Sequence, residues 1–375
     1  MSEAKTVLIA AASGRALAAA ARLSGYRPCV VDFFDDDDTR ALASVTDSIA
    51  DPVQGFAADD LISRLHKLAR GENPVGLVYG SGFEDRPEIL TALSQHFFVF
   101  GNNASNVARA KDPRGLASLC GELNIPHPEI RLDPPADPSL WLIKRQGGGG
   151  GIHIRAADAP LESGDYYQRH VSGTPVSVLL LADGRTAQVL GTSSQWTADS
   201  LDLPYRFGGA VRPALGADAQ LAAIGETGQR IVAALSLVGL NSVDFLAGDD
   251  GYHLLEVNPR PGATLDIFMD RDGALFEAHL AACRGHLPRR PLVFTKAAAT
   301  AIAYAPRELP SMPRLAWPDW CKDRQRPGTF LRAGDPVCTL SAEADTATAA
   351  RARVGERLAL FDDYLSREAQ KECAA

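Results

Sequence analysis

Four short apolar runs lie in the first hundred residues, and small or polar residues follow each of them. The runs are at 7–12, 28–31, 75–79 and 97–100. Runs in which nearly every position is apolar are typical of parallel strands that are covered on both faces. The pattern therefore predicts a small, doubly wound α/β domain over residues 1 to about 105.

A proline-rich segment follows this domain. Residues 126–138 hold five prolines, which excludes both a long helix and a central strand. We interpret the segment as a linker. Beyond it, apolar runs at 141–144 and 151–154 predict two strands that enclose five consecutive glycines.

The rest of the chain is predicted to be mostly strands, with two helices. Strands are expected at 176–181, 186–190, 242–246, 252–257, 329–331 and 336–340. Helices are expected at 221–237 and at about 344–368. The first two pairs of strands are predicted to be hairpins, because an Asp-Gly turn and a Gly-Asp-Asp-Gly turn separate their members.

Composition and charge narrow the range of functions. The 375 residues carry a formal net charge of −8, and 46% of them are hydrophobic, which is ordinary for a globular chain of two or three domains. Negative charge argues against general binding to nucleic acid or anionic membrane. Since no apolar run reaches the ~18 residues of a membrane span, we expect a cytoplasmic protein with small-molecule partners.

Two features that could suggest a redox or metal site have plainer interpretations. The six cysteines form no Cys-x-x-Cys pair, so reduced thiols are expected instead of a zinc knuckle or a disulfide framework. The four consecutive carboxylates of Asp35–Asp38 point in different directions and cannot converge on an ion. They are interpreted as a solvated loop.

The glycine run Gly147–Gly151 is the first candidate for chemistry. Lys144 precedes it, and predicted strands on both sides make it a hairpin tip whose backbone N–H groups could close over an anion. It lacks the Gly-Lys-Ser/Thr of a P-loop, and it does not open a helix as a dinucleotide-binding motif does. A mobile linker is the alternative interpretation.

The segment 254–260 is the stronger candidate. On a strand, Glu256 and Asn258 project from one face, and a hairpin turn centred near residue 250 places Asp244 opposite Glu256. Two facing carboxylates repel each other, but two carboxylates and an amide oxygen are ligands that Mg²⁺ combines with substrate phosphates. Arg260 is suited to a transferring phosphoryl group. The alternative is an exposed polar face of an edge hairpin.

Together these residues resemble the ATP-grasp superfamily. The resemblance spans residues 1 to about 290 and rests on Lys144 before the glycines, on 167–173 before a hairpin, on Val243-Asp244-Phe245, and on the run from Leu255 to Pro261. It implies an ATP-grasp fold, of the α/β and α+β classes, with an N-terminal Rossmann-like pre-ATP-grasp domain. ATP would lie between two α+β lobes under the glycine hairpin.

The resemblance also implies a division of the chain into four parts. These are the N-terminal α/β domain at 1–105, a small lobe with the glycine hairpin at 106–180, a large lobe with the metal site at 181–290, and a C-terminal extension packing on the core at 291–375.

Roles for individual residues follow from the same resemblance. Asp244, Glu256 and Asn258 match the ligands of Mg²⁺, for which Mn²⁺ is a substitute, and Arg260 and Lys144 match catalytic positions. The residues that match the nucleotide site are Lys111, Lys144, Gly147, Gly148, Gly149, Gly150, Gly151, Gln168, Arg169, His170 and Val171. Gln168 is a departure, because many members have Glu there, and Lys111 has an alternative interpretation as an ordinary lysine on a helix surface.

The implied activity is that of an ATP-dependent carboxylate–amine ligase. A carboxylate attacks the γ-phosphate to give an acylphosphate, and an amine then displaces phosphate to give an amide. An amino-acid-like substrate in cofactor biosynthesis is expected, because the narrower resemblance is to tyramine–glutamate ligase-like enzymes of methanofuran and one-carbon cofactor synthesis. The alternatives are a bicarbonate-activating carboxylase and a nucleotide-binding module without turnover. A homodimer is compatible with each.

Candidate substrate residues lie in the loops at the carboxyl ends of the parallel strands, near the 205–209 segment and after Arg260. They are Ser13, Arg15, Ser81, Glu84, Arg206, Gly208 and Asp266. Arg15 could pair with a substrate carboxylate and Glu84 with an ammonium group. A plain polar turn explains each of these positions equally well.

Overall fold

The N-terminal part of the protein is a five-stranded parallel sheet with helices on both faces. A computed structural model describes residues 4–49, 54–269 and 272–374, with side chains up to residue 371. The elements of this part are β1 (Thr6–Ala10), α1 (Arg15–Leu23), β2 (Arg27–Asp32), α2 (Asp37–Leu42), β3 (Val45–Ser48), α3 (Ala58–Leu68), β4 (Leu77–Tyr79), α4 (Glu88–Ser94) and β5 (Val99–Phe100). The strand order is β3-β2-β1-β4-β5.

Alternation along β1 explains why both faces of this sheet are covered. Val7 and Ile9 pack into one hydrophobic cluster with residues of α1, whereas Leu8 and Ala10 pack into another with residues of α3 and α4. The doubly wound domain expected from the apolar runs is confirmed. Its last two strands are shorter than predicted, because β4 begins only at Leu77 and β5 only at Val99.

A four-stranded antiparallel sheet comes next, in the order β6-β9-β7-β8. Its elements and the two preceding helices are α5 (Ala104–Lys111), α6 (Pro113–Glu122), β6 (Ile130–Arg131), β7 (Trp141–Arg145), β8 (Arg155–Ala156) and β9 (Asp165–Arg169). The strand predicted at 151–154 is wrong. Residues 147–153 form turns in which Gly147, Gly150 and Gly151 have positive φ, and the strand begins only at Arg155.

An eight-stranded sheet forms the largest layer, in the order β14-β13-β10-β11-β12-β15-β17-β16, with antiparallel neighbours throughout. Its strands and the associated helices are β10 (Thr174–Asp183), β11 (Ala187–Thr197), β12 (Phe207–Arg212), α7 (Asp218–Ala234), β13 (Val238–Gly248), β14 (Gly251–Asn258), α8 (Ala274–Ala282), β15 (Ala297–Tyr304), β16 (Cys321–Lys322), β17 (Pro336–Ala344) and α9 (Ala347–Ala374). A 3₁₀ segment, Ala263–Phe268, follows β14.

The C-terminal strands do not form a separate layer. β15 pairs with β12, so the chain after residue 291 continues the same sheet, and α9 covers its end through Val354, Phe361 and Leu365. The predicted strand at 329–331 is reduced to one bridge, Leu309 to Leu331. The four-part division of the chain stays a prediction, and its boundary after residue 180 would cut β10.

The acidic run Asp35–Asp38 is not a solvated loop, contrary to the prediction. Asp36 caps α2 by accepting a hydrogen bond from the Thr39 N–H at 2.7 Å. The Asp38 carboxylate accepts the backbone N–H groups of Asp323 and Arg324 at 2.9 and 2.8 Å. The partners of Asp38 lie almost three hundred residues away, which is why the local sequence pattern does not reveal them.

Five of the six cysteines, Cys29, Cys120, Cys283, Cys321 and Cys338, are free thiols, as predicted, and the side chain of Cys373 lies outside the described residues. Within the described part of the chain, none of the helices combines the length and hydrophobicity needed to cross a bilayer.

Candidate active site

The β13–β14 hairpin sets two carboxylates opposite each other. Its two-residue turn pairs Gly248 with Gly251, and this register continues to Phe245 and Leu254. A bulge then adds Leu255, so that Asp244 lies opposite Glu256. The expected opposition is therefore observed, but it depends on the bulge and not on a turn centred at residue 250.

The bulge also changes which residues share a face. Strict alternation along β14 would also place Leu254 on the face of Glu256 and Asn258, and this placement is wrong. Leu254 and Val257 both pack in the hydrophobic cluster that includes Val243 and Phe245. The extra residue allows apolar side chains to fill the core while Glu256 remains on the side of Asp244.

Asn258 and Lys111 complete a polar network around the two carboxylates. The Asn258 Nδ2 donates to Asp244 Oδ2 at 2.8 Å and to Glu256 Oε1 at 3.2 Å. Lys111 Nζ donates to Asn258 Oδ1 at 2.8 Å and lies 3.8 Å from Glu256 Oε2. Lys111, at the end of α5, is buried, so it is not an ordinary surface lysine in this fold.

The two carboxylates differ in how they respond to these neighbours. Removal from water, together with the negative charge of Glu256, raises the pKa of Asp244. Removal from water acts in the same direction on Glu256, but the positive charges of Lys111 and Lys144 outweigh it and hold the pKa of Glu256 below its usual range. The site therefore favours a further positive charge near Asp244.

The donor set fits a hard divalent cation such as Mg²⁺. Two carboxylates and an amide lie together, and Asp244 Oδ1 has no hydrogen-bond partner among the described residues. Ligation through the Asn258 oxygen would require its amide to turn over, because that oxygen now faces Lys111. No set of three or more His, Cys, Asp or Glu side chains within the described residues forms a metal site by itself, so phosphate oxygens and water would supply the remaining ligands.

Lys144 and Gln168 lie on neighbouring strands behind this network. Lys144 is buried in β7 and donates to Gln168 Oε1 at 3.2 Å. Burial lowers the pKa of the Lys144 ammonium group, although Glu256 opposes the effect. Gln168 Nε2 has no partner among the described residues, and this makes it a donor available to a ligand.

The predicted hinge connects the four-stranded sheet to β10. Arg169 is exposed at the end of β9, with its guanidinium 5.8 Å from the centre of the Trp141 ring. The backbone N–H of His170 bonds to the Leu140 carbonyl at 2.8 Å, and Val171 is half-buried. The structure thus brings Gln168 close to Lys144, while Arg169 and His170 face outward.

The glycine loop, residues 147–151, is in a closed position. The Gly150 carbonyl accepts the N–H of Phe207 at 2.9 Å, and Gly147, at φ +75°, lies against the backbone of Glu84 and Asp85. The space below the loop is only about 20 Å³ and includes Lys111, Gln168 and Glu256 in its lining. A nucleotide would therefore require the loop to open.

Several residues that line this space were not predicted from the sequence, and two of them have polar side chains near Lys111 and Gln168 in the lining. His127 and Tyr166 both line it. His127 belongs to the proline-rich segment interpreted as a linker, and burial lowers its pKa to about 4. The one feature of the sequence that points to a fixed His127 is its position between Pro126 and Pro128, because a residue before proline has a restricted backbone.

Arg260 is held by Glu84, which lies in the loop between β4 and α4. Arg260 Nε donates to Glu84 Oε1 at 2.6 Å, and the other Glu84 oxygen accepts the N–H groups of Gly82 and Phe83 at 2.8 and 3.0 Å. Arg260 Nη2 also lies 3.4 Å from Asn258 Oδ1. Glu84 is thus occupied within the protein, and the predicted pairing with a substrate ammonium does not fit.

Arg15 is similarly occupied. It forms a bidentate pair with Asp266 and donates through Nε and Nη2 to Asp323 at 3.0 and 2.9 Å. Ser13 Oγ donates to the same Asp323 carboxylate at 3.3 Å. The predicted pairing of Arg15 with a substrate carboxylate does not fit, because two protein carboxylates already take its donors.

The remaining substrate candidates have mixed surroundings. Arg206 lies 3.7 Å from the centre of the Tyr304 ring and donates to the Gly334 carbonyl at 3.0 Å. Gly208 lies directly against the backbone of Thr197, so its role is to allow strand packing. Ser81 lines a larger cavity that also contains Arg15.

Comparisons with known proteins concern the domain and the fold that carry these residues. Residues 117–264 match the ATP-grasp domain family. Pyruvate carboxylase of Rhizobium etli has a similar fold, with a TM-score of 0.71 and 15% identity over 94% of this chain and 37% of that chain. The present chain therefore spans little more than a third of that relative.

Two relatives are similar over nearly their full length. Biotin carboxylase of Campylobacter jejuni, in complex with an ATP analogue, gives a TM-score of 0.67 and 14% identity over 94% of this chain and 90% of that chain. N5-carboxyaminoimidazole ribonucleotide synthetase of Thermotoga maritima gives 0.66 and 14%, over 94% and 98%.

These findings confirm the predicted ATP-grasp fold, including the Rossmann-like domain at the N-terminus, and residues 117–264 match the ATP-grasp domain. The predictions of an enzyme and of ATP and Mg²⁺ as cofactors agree with a domain of this kind. The narrower suggestion of a tyramine–glutamate ligase-like enzyme is not confirmed.

Proposed function

We propose that the protein is an ATP-dependent carboxylate–amine ligase that forms an amide through an acylphosphate. One observation carries the proposal: the opposed pair Asp244 and Glu256, with Asn258 and Lys111 in contact and Arg260 beside them. A purely structural hairpin has no need to bring two carboxylates face to face, because such a pair costs free energy unless a cation joins it.

In this proposal each residue has a role defined by its position. Asp244, Glu256 and Asn258 would hold Mg²⁺, which neutralises phosphate charge when it is bound. Lys144 and Gln168 would bind the nucleotide, Lys144 through a phosphate. Arg260, whose orientation Glu84 fixes, would bind the phosphoryl group as it moves.

The chemistry balances without a protein nucleophile. A carboxylate oxygen of the acid bonds to the γ-phosphorus, and the bond from that phosphorus to the β-phosphate oxygen breaks, releasing ADP. The nitrogen of a neutral amine then bonds to the acyl carbon, the bond from that carbon to the phosphate oxygen breaks, and the amine loses a proton to give the amide. The closed glycine loop would protect the acylphosphate from water.

The direct test is Glu256→Gln, which deletes a charge and leaves the volume unchanged. One carboxylate would hold Mg²⁺ more weakly than two. We therefore expect ADP release in a panel of acids and amines to fall by at least about 100-fold, with an unchanged far-UV spectrum. Asp249→Asn, at the exposed tip of the same hairpin, is the matched control. Wild-type activity in Glu256→Gln would refute the assignment.

A bicarbonate-activating carboxylase is the second candidate. It is favoured by the names of the structural relatives, two of which are carboxylases and one of which makes a carboxyamino product. It requires ADP release that depends on bicarbonate and continues without an organic acid. Assays in buffer freed of carbon dioxide separate the two functions, because only the carboxylase would stop.

Substrate identity remains a further proposal. We suggest an amino-acid-like acid and a small amine in cofactor biosynthesis, with a tyramine–glutamate type of reaction among those to be screened, and a homodimer as the assembly. Product analysis by mass spectrometry on the acid and amine panel tests the first part, and light scattering tests the second.

A further inference from the structure

A cavity of about 230 Å³ lies next to the proposed reaction centre. Pro261 and Gly262, which follow Arg260, line it, as do Gly80 and Ser81, which precede the turn that holds Glu84. At roughly 30 Å³ for each water, the cavity has room for about eight water molecules. It therefore suits a small organic molecule.

The charges around this cavity have one dominant sign. Among the described residues that line it, Arg15 is the one cation, whereas Asp36, Asp266 and Asp323 are carboxylates. Arg15 is itself neutralised by Asp266 and Asp323. The cavity therefore offers no free cation to a phosphate or carboxylate, and this makes it unlike a binding site for a ribonucleotide.

One carboxyl oxygen of Asp36 lacks a hydrogen-bond donor among the described residues. The residue is 1% exposed, its Oδ1 caps α2, and its Oδ2 has no hydrogen-bond partner among the described residues. Burial, and then the neighbouring Asp38 and Asp323, raise the pKa of Asp36 to about 8. Asp36 lines the cavity and holds a proton near neutral pH, so a cation bound beside it would displace that proton and pair with the carboxylate.

The rest of the lining is largely apolar. Leu17, Phe34, Phe207, Leu265 and Ile302 contribute to the walls. Apolar walls with one acidic corner match a ligand that has a hydrocarbon body and a single charged amine.

We propose that this cavity binds the amine substrate as a cationic primary amine with an apolar body, whose ammonium group bonds to Asp36. The inference rests on the ligase function proposed above, since that function requires an amine beside Arg260. It specifies the charge and shape of the substrate, which the fold and the family match do not.

The test is calorimetric binding of benzylamine to the full-length protein at low salt without nucleotide. Benzyl alcohol and benzoate, which have a similar shape but no positive charge, should bind at least about tenfold more weakly. Asp36→Asn keeps the capping oxygen and the volume, and it should weaken benzylamine binding about tenfold. Asp37→Asn, in the same helix but not in the cavity, should leave the affinity unchanged.

Three outcomes would overturn the proposal. One is the absence of benzylamine binding at millimolar concentration, and another is benzoate binding as tight as that of benzylamine. The third is unchanged affinity in Asp36→Asn, which would indicate that a proton shared with Asp38 already satisfies the carboxylate. Ile302→Phe, which should weaken both benzylamine and benzyl alcohol by narrowing the cavity, keeps the test decisive if Asp36→Asn does not fold.

The binding assay is independent of turnover. If benzylamine binds as expected but no acid and amine mixture releases ADP, the ligase function falls while the amine site stands. If ADP is released and benzylamine does not bind, only the amine site falls.

Discussion

At the scale of single residues, the sequence predicts which side chains lie together within one hairpin but not which distant segments come into contact. Alternation placed Glu256 and Asn258 together, whereas the opposition of Asp244 and Glu256 depends on the bulge at Leu255 and not on the turn alone. Lys111 contacts Asn258 across 147 residues of sequence, and Arg15 meets Asp323 across 308. No local pattern encodes such pairs. The sequence therefore led to the prediction that Arg15 and Glu84 pair with substrate groups, although both pair with side chains of the protein.

His279 provides a residue-scale prediction on pH. It is 1% exposed, accepts the Leu240 N–H through Nδ1 at 3.0 Å, and has a pKa lowered by burial to about 4. The unfolded chain binds a proton near pH 6.5 and the folded chain does not, so stability is full above that pH and falls between pH 6.5 and 4. The loss is at most about 3 kcal/mol.

Urea unfolding at pH 7 and pH 5 measures this effect. His279→Gln should show a smaller drop in the free energy of unfolding between the two pH values than the wild type does. His66→Gln, on the exposed face of α3 near His96, is the control and should keep the wild-type drop. An identical drop in His279→Gln and the wild type would contradict the assignment.

At the scale of elements, strand identity was mostly predictable and strand ends were not. Apolar runs identified β1, β2 and both hairpins, because buried strands need such runs whatever their neighbours are. The residues after the glycines read as a strand, but positive φ at Gly150 and Gly151 turns the chain before the strand can start. The bulge at Leu255 could not be predicted from the sequence either, since it depends on how the core accommodates Leu254 and Val257.

The glycine loop gives a prediction at this scale. A Cβ at Gly151 would clash with the Tyr205 carbonyl, and its φ is +75°, whereas Gly149 has open space around it. Gly151→Ala should therefore hold the loop away from β12, while Gly149→Ala should behave as wild type. We expect faster tryptic cleavage near Arg145 and Arg155 in Gly151→Ala, by about tenfold, because cleavage follows the open population.

The same variant should also uncouple the proposed reaction. With the loop open, water reaches the acylphosphate, so Gly151→Ala should release more ADP for each amide formed. Equal cleavage rates in Gly151→Ala and Gly149→Ala would show that the contact with Tyr205 does not hold the loop.

At the scale of the whole molecule, the C-terminal residues do more than form the expected extension that packs on the core. They continue the large sheet through β15 and β17, and their 323–326 segment docks on the acidic run of the N-terminal domain. The sequence predicts strands and a helix here but not which elements they pair with, because a pairing such as β12 with β15 is set by the fold around it. Arg15 joins three parts of the chain by contacting Asp266 and Asp323.

Arg15→Met tests how much this junction stabilises the protein. It would remove the guanidinium from the half-buried Asp323 and leave the buried Asp266 side chain with Lys322 alone, and we expect the free energy of unfolding to fall by about 3–5 kcal/mol, measured by urea denaturation. Arg22→Met, on the exposed side of the same helix, should change it by less than about 0.5 kcal/mol. A double variant with Asp266→Leu should recover part of the loss, and a loss no smaller in the double variant would contradict the pairing.

The closed glycine loop has a consequence for the order of events. The space beneath it accommodates hardly one water molecule, so a nucleotide bound there, as we propose, would enter and leave only when the loop moves. If chemistry is fast, the frequency of loop movement sets the maximal turnover rate. Solvent viscosity would then slow catalysis, although no bond-making step is involved.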